Sequence, residues 1–188
     1  MSLPRWTSLL LAVFASLALA SLLQGVGDIV LPTARGGAPF GFLFATTRAF
    51  GPLAFSAYVF VHNFGLACLV PGVGFVAARY ERRTRNRGVI GVLLVGAVLA
   101  ALLIALEFLI QANDRFDPYF AFPLFVGEST GVLLLALPSA RELWGFVPTP
   151  AYEWSLVTPF RKLLRPALAS AALLLALALL ETWWVVGF

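Results

Sequence analysis

Five apolar stretches, near residues 7–31, 53–78, 88–112, 118–138 and 164–187, take up most of this chain. Each is long enough to cross a hydrocarbon core, which takes about 20 residues of helix. In lipid a backbone must satisfy its own N–H and C=O groups, and a run of this length does so as a helix. The expected fold is an all-α integral membrane protein, a single domain over 1–188. It is a bundle of about five transmembrane helices with interfacial amphipathic segments. Of the 188 residues 61% are hydrophobic and only 12% charged, about half the charged share of a soluble domain. The longest stretch outside the spans, 139–163, has roughly 25 residues and is too short for a core of its own.

The few reactive residues exclude several kinds of chemistry. One cysteine, Cys68, rules out an internal disulfide or a thiolate metal cluster within the chain. One histidine, His62, rules out a multi-histidine metal site or a bis-histidine haem built from this chain alone. Serine-hydrolase, zinc-protease and phosphate-loop motifs are missing from the sequence. A non-enzymatic protein without a cofactor or metal is therefore expected, with Cys68 acting as a small packing residue.

The net charge of +4 does not point to nucleic acid, because the cations are confined to short connections. With the N-terminus in the cytoplasm, Arg5, Arg79, Arg82, Arg83, Arg85, Arg87, Arg141, Arg161, Lys162 and Arg165 lie inside. Only Arg35, Arg48 and Arg115 lie outside. That asymmetry orients a plasma-membrane protein, and five spans put the C-terminus on the extracytoplasmic side. Arg5, an apolar run and Ala18-Leu19-Ala20 resemble a signal peptide, but the run continues to Val30, so an uncleaved first helix is expected. The outer segment 32–52 carries Phe40, Phe42, Phe44 and Phe50 and reads as a piece lying in the interface. The inner segment 139–163 mixes Trp144, Phe146, Tyr152, Trp154 and Phe160 with Arg141, Glu142, Glu153 and Arg161, a pattern that favours contact with anionic lipid.

The polar residues inside the spans carry the rest of the reading, because a carboxyl in hydrocarbon faces a bundle interior, a cavity or a partner. The candidate intramembrane cluster is His62, Asn63, Glu107, Gln111, Glu128 and Glu181. On the second span Ser56, Asn63, Ala67 and Gly74 share one face, and small residues there let helices approach closely. On the third, Gly96, Ala100, Glu107 and Gln111 do the same, which directs Glu107 toward other helices. Ala167, Ala171, Ala178 and Thr182 form the stripe of the fifth, with Glu181 beside it. At about 1.5 Å of rise per residue, Asn63 and Glu128 each lie roughly 15 Å below the outer surface, and Glu107 and Glu181 roughly 7–10 Å. All belong to the outer half, and the inner half offers no continuing polar relay. Pro71 removes one backbone bond and leaves the Ala67 carbonyl free, so a kink is expected there.

These features together resemble the stage II sporulation protein M family of small five-helix membrane proteins. The stretch FVHNFGLACLVPGVGF is similar to the family's aromatic-rich span with an Asn before a glycine-containing turn. Pro123 and Glu128 keep the family's proline-to-glutamate spacing, and RPALASAALLLALALLETWW resembles its last helix, with Glu181 near the outer end. Leu124 and Phe125 stand where the family commonly has His-Gly, and Ser129, Thr130 and Gly131 where it has Leu-Pro-Ala. The resemblance implies a non-enzymatic component that organises a membrane machine, with Asn63, Glu128 and Glu181 as structural determinants.

Two functions follow as expectations. The first is a scaffold or assembly subunit of a larger membrane or cell-envelope complex, contacting lipid and either protein partners or further copies of itself. The second is a transporter or permease subunit whose outer-half carboxylates bind a cation or a proton-coupled solute.

Overall fold

A glycine starts the first of the described helices. Gly51 adopts φ +102°, a left-handed conformation that costs a residue without Cβ little. Pro52 follows at the first helical position, where its missing N–H would have had no partner. The computed structural model describes residues 50–84, 88–114, 121–150, 153 and 155–186, and the side chains within these except 82–84, 107–114, 121 and 185–186. The expected first span, 7–31, and nearly all of the segment 32–52 lie outside the described residues. Within them the chain forms α1 (Pro52–Ala67), α2 (Leu69–Thr84), α3 (Val89–Asp114), α4 (Ala121–Trp144) and α5 (Val157–Val186).

By length and composition α3, α4 and α5 can each cross a membrane, and α1 with α2 makes a fourth crossing if the bent pair is one span. The two halves of that pair meet at 51°. The break falls at Cys68, three residues before Pro71. Proline at position 71 cannot donate to the Ala67 carbonyl, and its ring crowds that turn. Helical bonds continue on either side of the break: the Cys68 N–H donates to Phe64 O at 2.9 Å and the Gly72 N–H to Cys68 O at 2.8 Å.

Helix α4 is central and touches the other four, whereas α1 packs chiefly on α5 and α4, and α2 on α3 and α4. Their shared core includes Leu66, Val70, Leu94, Val132, Leu135 and Leu174. Outward faces are equally apolar: Val92, Leu99 and Leu103 of α3 and Leu168 and Leu175 of α5 are exposed. In water that much apolar surface would drive association, whereas lipid tails solvate it.

Two expectations need correction. The buried face of α3 is Ile90, Leu94, Ala97, Ala101 and Ala105; of the expected stripe Ala100 packs at the edge of that face, but Gly96 does not. Gly96 is exposed, and a Cβ there would meet open space. This helix is apolar all round and carries two small-residue stripes, so its sequence does not select between them. The segment 139–163 is also shorter as a connection than expected. Helix α4 continues through Pro138 to Trp144, and α5 begins at Val157 and runs through Pro166. Ser139 stays within the helix by donating to Leu135 O at 2.6 Å, the back-bond open to hydroxyl residues.

The turn between α2 and α3 is tied by an acidic residue. Glu81 is buried, and its two carboxylate oxygens accept from the Gly88 N–H at 3.1 Å and the Ile90 N–H at 2.9 Å. These amides belong to the start of α3, where N–H groups have no helical partner and the helix dipole favours negative charge.

A buried polar seam between α1, α4 and α5

Helix α1 enters the seam with Ser56 and Asn63, two turns apart on the face that also buries Phe55, Val59 and Ala67. Helix α4 contributes Glu128, which is 2% exposed against 4% for Asn63. The Asn63 amide Nδ2 donates to Glu128 Oε1 at 2.5 Å. Toward the start of α1 and the end of α5, Ser56 Oγ donates to Thr182 Oγ1 at 2.7 Å, and Thr182 Oγ1 donates in turn to Ala178 O at 2.7 Å. Phe55 and Val59 pack on Ala178 beside that chain. Glu181 stands half-buried on the same turn of α5, in the neighbourhood of Glu128.

The close approach of α4 to α5 depends on glycines. Gly127 and Gly131 stand four residues apart, a small-xxx-small pair of the kind that lets helices meet at their backbones. A Cβ at Gly127 would come 2.9 Å from Leu177 Cδ1, and one at Gly131 would come 2.5 Å from Leu174 Cδ2. The bare backbone at Gly131 also exposes its carbonyl, which accepts from Ser170 Oγ across the interface at 2.7 Å. Thr130, on the exposed side, turns its hydroxyl to Val126 O within its own helix.

Of the six polar residues singled out from the sequence, the structure brings Asn63, Glu128 and Glu181 together. His62 sits one position around α1 and stacks on Tyr58, with ring centroids 6.2 Å apart and planes at 12°. The side chains of Glu107 and Gln111 lie outside the described residues. Pro71 lies beneath the seam, at the bend. Three features went unread in the sequence. Ser170 was passed over inside an alanine-rich run. The Gly127–Gly131 pair was legible, because the four-residue spacing is itself the signal. Glu81 stands among arginines, and its role depends on a turn that brings back amides seven and nine residues later.

Chemically, the seam is a set of interhelical hydrogen bonds wrapped in apolar side chains. No group of three or more potential metal-binding side chains occurs among the described residues. No family model matches the chain, and no match was found among curated proteins or solved structures.

Proposed function

We propose that this chain is a non-enzymatic, multi-pass membrane protein that serves as a scaffold or assembly subunit of a larger membrane or cell-envelope complex. The observation that carries the reading is how the seam uses its polar groups. Asn63 is bonded to Glu128, Ser56 to Thr182, and Ser170 to the Gly131 carbonyl, each across a helix interface. Groups spent on one another hold helices in register, as polar residues do inside membranes. The resemblance to the sporulation protein M family points to the same role. The cation asymmetry supports an N-terminus in the cytoplasm and a C-terminus outside.

Crosslinking the tagged protein in its own membranes, followed by mass spectrometry of what co-purifies, tests the proposal. A stable, stoichiometric membrane or envelope partner is the expected result. Recovery of the chain alone or only with copies of itself would overturn the assembly role.

A second reading has its own support in the nearness of Glu128 and Glu181, since paired carboxylates in a membrane interior suit a cation or a coupled proton. Under that reading a solute-uptake assay collapses with Glu128→Gln while the protein remains folded. Under the scaffold reading the same variant keeps its partner.

A further inference from the structure

We propose that the cleft between the inner ends of α4 and α5 is a binding site for the headgroup of an anionic phospholipid, an inference that rests on the membrane-spanning reading of these helices. The cleft has a volume of about 350 Å³ and is lined by Leu137, Pro138, Arg141, Glu142, Lys162 and Leu163. Its composition changes along its length. Leu137 and Leu163 belong to the apolar part of the two helices, and Arg141, Glu142 and Lys162 begin the charged part. This is the boundary at which a lipid's glycerol and phosphate would lie beside the protein. Exposed Leu137 and Leu164 offer apolar surface for acyl chains on one side of that boundary, and exposed Trp144 is a residue type suited to the headgroup layer.

The charge at this end is unbalanced. Arg141, Arg161, Lys162 and Arg165 stand against two carboxylates, Glu142 and Glu153, in the described part of 137–165. One cation is engaged: Lys162 Nζ donates to Glu142 Oε2 at 2.8 Å across the cleft. Arg141, Arg161 and Arg165 are exposed and make no ion pair among the described residues. The Lys162–Glu142 bridge takes up part of the Lys162 charge, while Arg141, next to Glu142 on α4 and also lining the cleft, supplies a planar donor fork matched to phosphate oxygens. Basic pockets between membrane helices bind acidic headgroups by this combination of charge and hydrogen bonding.

Native mass spectrometry of the detergent-purified full chain, titrated with phosphatidylglycerol or with phosphatidylcholine, tests the site. Phosphatidylglycerol should be retained about tenfold more strongly, and the Arg141→Gln, Lys162→Gln double variant should bring it down to the phosphatidylcholine level. Glu142→Gln removes the carboxylate from the cleft and should raise retention of phosphatidylglycerol. It also keeps the test decisive if the double variant folds poorly. Equal retention of the two lipids, or no response to these variants, would overturn the proposal. Displacement of phosphatidylglycerol by millimolar inorganic phosphate would overturn it too, by making the site a receptor for free phosphate.

Discussion

Glu128 is the residue on which the seam turns, and its replacements separate hydrogen bonding from charge. Gln retains an oxygen for the Asn63 amide, so Glu128→Gln should shift stability in detergent by less than about 1 kcal/mol, in line with measured interhelical bonds. Leu leaves the buried Asn63 amide without its acceptor, and Glu128→Leu should cost about 1–3 kcal/mol in the same unfolding measurement. Gly131 is the second sensitive position. Gly131→Ala forces a Cβ against Leu174 and should cost about 1–3 kcal/mol by overpacking. Gly96→Ala, which meets open space, should be neutral or stabilising by about 0.5–1 kcal/mol because helix propensity improves. The contrast between these two glycines marks how far the sequence could be read. The common depth of Asn63 and Glu128 was legible by counting residues from the expected outer surface, whereas their pairing was not, because helix order in space is not written along the chain. Gly96 misled, because a small residue on an all-apolar helix does not say whether it faces protein or lipid.

At the scale of elements, the bend and the cap are the features to test. Pro71→Ala restores a donor to the Ala67 carbonyl and should reduce the 51° bend. Spin labels at the exposed positions Val61 and Val76 would read this as a longer separation between α1 and α2. Glu81→Ala should cost about 1–2 kcal/mol, as loss of a helix cap does. Hydrogen exchange should quicken at Gly88 and Ile90 before it does in the middle of α3. The bend was visible in the sequence because proline acts on its own backbone, whatever packs around it. The end of α4 and the start of α5 were not, because apolar content set the expected limits at 138 and 164 while the helices run on into charged sequence. Neighbouring helices and the Ser139 back-bond carry the chain through Pro138, and α5 simply begins before Pro166. The cap was hidden for a different reason. Glu81 sits in a run of arginines that reads as solvated charge until the turn at Gly88 folds the chain back on it.

For the whole molecule, the apolar exterior of α3 and α5 and the uneven spread of cations among the connections make orientation the first global property to measure. Cys68 is 1% exposed and should stay silent toward membrane-impermeant maleimides, so single cysteines can be added to the otherwise unaltered chain. Phe50→Cys should label from outside intact cells, and Ser155→Cys only after permeabilisation. The reverse pattern would invert the orientation proposed from the arginines. The connectivity of the seam also bears on how the protein is made. Asn63 finds its acceptor 65 residues later in the chain, and Ser56 finds Thr182 after 126. A ribosome delivers α1 long before α4 and α5 exist, so α1 must wait with Ser56 and Asn63 unmatched. The arrival of α5 completes the seam. A nascent chain stopped short of α5 therefore displays unmet hydrogen-bonding groups in the bilayer, a ready mark by which a membrane protease can tell unfinished copies from finished ones.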